Sequence, residues 1–339
     1  MAIGANGNAA GDRQVAFLTR HGWPWQRQID DGARHHQGVT FNFAAGPDDE
    51  WLVVYDDIRA PVATRVPASR RVLFVTEPPG QKRYAPQFAN QFGILVSPYA
   101  LKGYRGEWIA QQPAINWFYG VDFDSGKPVS RIGLDGLRNL PVPPDKQKRI
   151  SVVCSSKSHL PGHRARLALL ERLRASFGAS IDVYGRGFRP IGDKADAIAP
   201  YRYHLVLENN CCPHFWTEKI ADPYLGYSLP IFAGCANITD YFPERSLVRI
   251  PDVHDLDAAV RAVGDVLAQD PWADRLDAIR AARGALIERH NLFSVLTRLT
   301  AADARPRRLA QDEVILPGSD CGPLRSLLRP VRRLFAGAR

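Results

Sequence analysis

The chain has 339 residues, enough to bury a large core and to make two domains. Its 45% hydrophobic and 23% charged content is that of a globular protein, and no apolar run approaches the ~20 residues that cross a bilayer. The formal net charge is +9, but eight arginines against three acids lie between residues 305 and 339, so the body is nearly balanced and lacks the basic surface of a nucleic-acid binder.

Residues 1–12 are small and polar, the composition of a disordered terminus. Short β-prone runs then follow at 15–18, 39–43, 51–55, 71–75 and 93–96, with helical signal at 85–92. That alternation predicts an α/β lobe with a Rossmann-like sheet. Glu77 follows the fourth run directly and precedes Pro78 and Pro79, so no helix starts there. Its carboxylate is held in a stiff loop at the sheet's carboxyl edge. Two uses fit that placement: a general base, or a loop carboxylate that accepts from backbone amides. The aromatic stretch 116–124 contains Trp117, Phe118 and Tyr119, which serve either as packing or as the acceptor side of a cleft.

Residues 141–149 are proline-rich and then charged, and read as a semi-rigid linker. The division is therefore 1–140, a first Rossmann-like lobe; 141–149, a linker; 150–304, a second Rossmann-like lobe; and 305–339, a basic tail. The second lobe opens with a strand at 150–154 and a helix running to Leu173. His163, Arg164 and Arg166 crowd that helix's first turn, where cations oppose the dipole; an anionic partner or simple solvation accounts for them. A further strand from Ile181 enters a glycine turn at Gly185 and Gly187. Helices are expected at 255–268 and 271–300.

The stretch 201–234 organises the lobe. An apolar run at 203–207 predicts a buried strand that ends at Glu208 and Asn209. Thr217 is a fitting N-cap for a helix from Glu218, and 229–232 predicts the next strand, closed by Gly234. Ligands of open α/β sheets bind at the strands' carboxyl edge, and a helix amino terminus there favours an anion. Lys219 adds a full positive charge, and Glu218 is suited to ribose hydroxyls. The pair also reads as an ordinary solvated helix surface.

Tyr201, Tyr203, Leu205, Leu207, Glu208, Asn209, Thr217, Glu218, Lys219, Pro230, Ile231 and Gly234 together resemble the signature of glycosyltransferase family 10, the α-1,3/1,4-fucosyltransferases. The resemblance implies a GT-B fold: two Rossmann-like domains facing a cleft, with C-terminal helices packed across both. It implies an inverting transfer of fucose from GDP-fucose to a glycan hydroxyl, with Glu77 as base, since Glu77-Pro78-Pro79 is similar to the family's catalytic turn. Arg166, with Arg164 as second choice, and Lys219 then meet the donor pyrophosphate, Glu218 holds the ribose, and Asn209 orients phosphate or sugar. Tyr184, Gly185 and Arg186 match a donor-side stretch of the family. With two cations on the leaving group no metal or other cofactor is required, and no paired-aspartate motif is placed to bind one. The family carries Tyr before its Val-Thr-Glu-Lys; here Phe215 and Trp216 stand there, and Asn210 stands where Ser is common, so donor-binding by Phe215 lacks a hydroxyl. A different nucleotide sugar, or a silent glycan-binding protein at a membrane, are the alternatives.

The five cysteines lack paired spacing, which argues against a disulfide framework and against zinc. The start lacks the apolar core of a secretory signal, and the anchor of Golgi relatives is missing, so a cytoplasmic, bacterial-type enzyme is expected. From Gly322 onward Leu324, Leu327, Leu328, Val331, Leu334 and Phe335 recur among arginines at helical spacing. That pattern suits a basic amphipathic helix on an anionic membrane surface, a helix packed on the protein, or a disordered tail.

Overall fold

The computed structural model describes residues 13–78, 81–144, 146–158, 161–302 and 310–320. The polar start and the amphipathic stretch 322–339 lie outside the described residues.

The first sheet has seven strands in the order His35–His36, Val39–Asn42, Arg13–Thr19, Trp51–Tyr55, Arg71–Phe74, Ile94–Ser97, Glu107–Ala110. All neighbours are parallel except the His35–His36 pairing. A parallel sheet must be covered on both faces, and the strand Trp51–Tyr55 is buried throughout for that reason. Val53 and Tyr55 enter one core, while Leu52 and Val54 enter the other. The five expected strands are present. The strand Glu107–Ala110 was not anticipated, because it is an exposed edge strand with a weak apolar pattern.

The second sheet is wholly parallel, in the order Ile181–Tyr184, Gln147–Val153, Tyr201–Leu207, Leu229–Ala233, Val248–Arg249. Its first strand starts inside the expected linker. Lys146 is buried just before it, and its ammonium group donates to the carbonyls of Ile198, Ala199 and Tyr201 and to Ser228 Oγ. Those bonds offset part of the cost of burying the amine, whose pKa burial still pushes down to about 7.

The two cores do not follow chain order. Trp117, Tyr119, Leu134 and Leu137 pack in the second lobe's core, although they precede residue 140. The single helix expected at 271–300 is two, Leu276–Glu288 and Leu292–Ala301. Asn291 separates them: its side chain caps Phe293 N–H, and its amide donates to Gln28 O in the first lobe. Leu286 and Ile287 stay in the second core, whereas Leu292, Phe293, Val295 and Leu296 fill the first. Phe293 packs edge-on to Phe41 with ring centres 4.9 Å apart. The segment Glu313–Ile315 then pairs antiparallel with Val62–Thr64, and Arg71 bonds Glu313 at 2.7 Å. This part of the expected basic tail is a structural piece of the first lobe. No helix of the described residues is long and apolar enough to cross a membrane.

Candidate active site

The strand Tyr201–Leu207 is central in its sheet and almost wholly buried, so its carboxyl end is fixed. Glu208 continues the ladder by donating its N–H to Ala233 O. Its side chain is 3% exposed and its carboxylate is fully engaged. One oxygen accepts from Thr217 N–H at 2.9 Å and Thr217 Oγ–H at 2.6 Å; the other accepts from Lys219 Nζ at 3.1 Å. Thr217 caps the helix Glu218–Leu225 by accepting from Lys219 N–H. Glu208 thus ties the strand end to the helix start and aims the Lys219 ammonium. A Cβ on Gly234 would stand 2.8 Å from Glu208 Cγ, which accounts for the glycine that closes the motif.

Burial disfavours the Lys219 charge, yet Glu208 and Glu218 outweigh burial and raise its pKa above the ordinary range. Burial likewise pushes Glu218 up, but Lys219 and Lys194 outweigh it and hold the carboxyl down at about 2. Lys194 Nζ lies 3.4 Å from Glu218 and 2.8 Å from Asp222. The other Asp222 oxygen accepts from the backbone N–H groups of Phe118 and Tyr119 at 2.8 and 3.0 Å. Lys194, Asp222 and the aiming role of Glu208 were missed by sequence reasoning. No local pattern marks them, since they meet only through tertiary folding.

Arg166 is in the first turns of the helix Pro161–Phe177 and is 6% exposed. It donates to Asn209 Oδ1 at 3.0 Å and to Ser155 O at 3.1 Å, and its Nε–H is buried with no hydrogen-bond partner among the described residues. A Cβ on Gly162 would fall 2.4 Å from Asn209 O, so that helix start is pressed onto the strand end. Arg166 lowers the Lys219 pKa, and both cations lower that of the Cys154 thiol, against a larger upward push from burial. The two cations therefore share one neighbourhood. Each has partners on the protein side, and two like charges in one neighbourhood make a cradle for a multivalent anion.

Glu77 sits at the carboxyl edge of the first sheet, half-buried. Tyr99 Oη donates to its backbone carbonyl at 2.6 Å, and its carboxylate makes no hydrogen bond among the described residues. Burial and then Asp56 raise its pKa, Lys219 and His21 pull it down, and Glu218 pushes it up. Glu77 in one lobe thus lies within Coulombic reach of Lys219 and Glu218 of the other. Its neighbour Asp56 is different: buried, in the left-handed region at φ 68°, and bonded to His21 at 3.0 Å, Lys82 at 2.8 Å and Tyr84 at 2.5 Å. Glu77 is the carboxylate left free on this edge.

The Tyr184 hydroxyl is 2.7 Å from that of Tyr201, in a small core of its own. Gly185, at φ 112°, would bring a Cβ within 2.2 Å of Cys154 O, so it permits close packing of the turn on the loop that carries Ser155. Arg186 and Arg164 are exposed, and Arg164 bonds Ser158 O. Phe215 is 4% exposed and Trp216 2%; the indole packs on Phe242 and His290. Cys154, Cys211, Cys212 and Cys235 are free thiols. Among the described residues no group of three or more His, Cys, Asp or Glu side chains is arranged to hold a metal ion.

Residues 144–271 match the family model described as glycosyltransferase family 10 (fucosyltransferase) C-term. The chain is 23% identical over 209 residues to a 4-galactosyl-N-acetylglucosaminide 3-alpha-L-fucosyltransferase of Homo sapiens, covering 60% of this chain and 50% of that protein. It is 29% identical over 70 residues to an alpha-(1,3)-fucosyltransferase of Helicobacter pylori, covering 21% of this chain and 15% of that one. The chain thus spans about half or less of the lengths of these relatives. A solved alpha1,3-fucosyltransferase with GDP-fucose superposes with a TM-score of 0.51 at 13% identity, over 91% of this chain and 96% of that one. The two lobes together form a GT-B fold, and Glu208, Lys219 and Gly234 all lie within the residues that match the family model.

Proposed function

We propose that the protein is an inverting glycosyltransferase that moves fucose from GDP-fucose to a hydroxyl of a glycan acceptor. The observation that carries the reading is the opposition of a free, half-buried carboxylate, Glu77, to the Arg166 and Lys219 cradle of the other lobe. Arg166 and Lys219 bind the donor diphosphate and stabilise the charge that builds on it as the glycosidic bond breaks. Glu218, ionised near neutral pH, accepts from ribose hydroxyls. Glu77 takes the proton of the attacking acceptor hydroxyl as the new bond forms on the opposite face of the sugar, and a single displacement inverts the anomeric carbon. The relatives that resemble this chain are named as fucosyltransferases, which supports fucose as the sugar. A second donor sugar is favoured by one observation: Phe215 and Trp216 bring no hydroxyl to the place before Thr217 and are both buried.

Calorimetric binding of GDP and GDP-fucose tests the cradle. Arg166→Ala is expected to weaken GDP by about 1.5–3 kcal/mol, the worth of a charge-assisted bond. Unchanged affinity removes the diphosphate from this place. The pH dependence follows from the charges around Glu77. The base works ionised, so kcat/KM rises with pH through the pKa of Glu77, above the ordinary carboxylate range. His21→Ala removes a group that holds that pKa down and frees a charge on Asp56. Both changes move the acid limb of the pH–rate profile to higher pH; a limb that stays in place separates His21 from the base.

A further inference from the structure

Glu218 and Asp222 stand one turn apart on the helix Glu218–Leu225, so two carboxylates share a helix face on which like charges repel. Lys194, from the turn before the short helix Ala195–Ile198, reaches between them. Its ammonium group lies 2.8 Å from Asp222 Oδ2 and 3.4 Å from Glu218 Oε1. Lys219 Nζ lies farther from that Glu218 oxygen, at 3.7 Å, and bonds Glu208 at 3.1 Å. Lys194 is therefore the nearer cation to the Glu218 carboxylate.

Lys194 is itself held. The Asp222 side chain is 1% exposed, and its other oxygen accepts from the Phe118 and Tyr119 N–H groups. The carbonyls of the same stretch are taken from the first lobe, where the buried Arg27 donates to Trp117 O at 2.8 Å and to Tyr119 O at 2.6 Å. Asp193, next to Lys194, accepts from Gly120 N–H at 2.9 Å, and Phe123 N–H donates to Gly192 O at 3.0 Å. The turn that carries Lys194 and the stretch 117–123 thus fix each other. The Phe118 ring centre lies 5.2 Å from the ammonium group, within cation–π range. A long side chain pinned at its tip, its ring neighbour and its backbone has lost most of its rotamer freedom. Packed apolar residues often replace a buried ion pair without loss of stability, so stability alone does not account for the arrangement.

We propose that Lys194, anchored by Asp222, is a positioning residue that holds the Glu218 carboxylate ready for the ribose hydroxyls, and so makes the donor site select ribonucleoside over dideoxyribonucleoside diphosphates. A carboxylate already in place gives up no rotamer freedom when the hydroxyls arrive. Without the Lys194 charge, repulsion from Asp222 turns Glu218 away from that place. The inference rests on the reading of Glu218 as the ribose acceptor.

Calorimetry on the full chain compares GDP with dideoxy-GDP, which lacks both ribose hydroxyls. Wild type is expected to prefer GDP by about 10–100-fold, the scale of a hydrogen bond to a charged group. Lys194→Met keeps the stem and removes the charge. It is expected to cut that preference about tenfold while dideoxy-GDP affinity stays within about threefold of wild type. Because this change leaves the Asp222 charge buried and unpaired, Lys194→Met combined with Asp222→Asn is measured beside it. Asn still accepts from Phe118 and Tyr119, and the double variant is expected to lose the preference in the same way. Preference for GDP kept at the wild-type ratio, whether both nucleotides are weakened alike or neither is, overturns the positioning role. A wild type that binds the two nucleotides equally overturns the reading of Glu218, and the inference falls with it. A wild-type preference that survives the loss of Lys194 leaves that reading intact and removes Lys194 alone.

Discussion

Glu77→Gln is expected to lower glycosyl transfer by about 10²–10⁴-fold while GDP affinity is retained. Gln keeps the size and the loop but cannot take a proton. The loop itself is held by other groups: Tyr99 bonds the Glu77 carbonyl, and Asp56 anchors His21, Lys82 and Tyr84. Because the Glu77 carboxylate makes no hydrogen bond among the described residues, its replacement orphans no partner and the variant folds. Single-turnover transfer and calorimetry on the same preparation separate the effects. A parallel loss of GDP binding and of transfer takes the base role away from Glu77.

Glu208→Ala is expected to be the most destabilising single change near the site. The carboxylate is 3% exposed and accepts three bonds, from Thr217 N–H, Thr217 Oγ–H and Lys219 Nζ. Removing one partner of a buried, bonded pair costs about 3–5 kcal/mol, because the other partner stays behind. Here the Thr217 donors and the Lys219 ammonium lose their acceptor together, and the helix loses its tether to the strand. Glu208→Gln keeps an acceptor for Thr217 and is milder. Urea unfolding reads the stability and GDP calorimetry reads the aim of Lys219. A Glu208→Ala protein with wild-type midpoint and GDP affinity would show that the helix and Lys219 are placed by other means.

The sequence was most legible where local chemistry decides. Tyr201–Leu207, its end at Glu208, the Thr217 cap and the helix from Glu218 all follow from burial pattern and capping, and the structure has them. Arg166 was legible as a cation that opposed the helix dipole, and it lies beside Asn209. What did not show is what tertiary contact decides. The Tyr184 hydroxyl meets that of Tyr201, seventeen residues on, a contact that no local pattern marks. Asp222 and Lys194 sit on different elements and become a pair only after the lobe has closed. The helix break at Asn291 did carry a local mark, since Asn is favoured at N-caps and its side chain caps Phe293 N–H, whereas its bond to Gln28 O in the first lobe shows only in the fold.

The position of the helix Leu292–Ala301 bears on how the protein comes off the ribosome. The N-terminal sheet is translated early, yet Leu292, Phe293, Val295 and Leu296, which cover one of its faces, are made after nearly all of the C-terminal lobe. Until then that face, with Phe17 and Phe41, has only the partial cover of Trp25 and Ile29. The lobe synthesised first is finished last, so the nascent chain passes through a sticky stage that invites chaperones. An N-terminal half expressed alone has no route out of that stage.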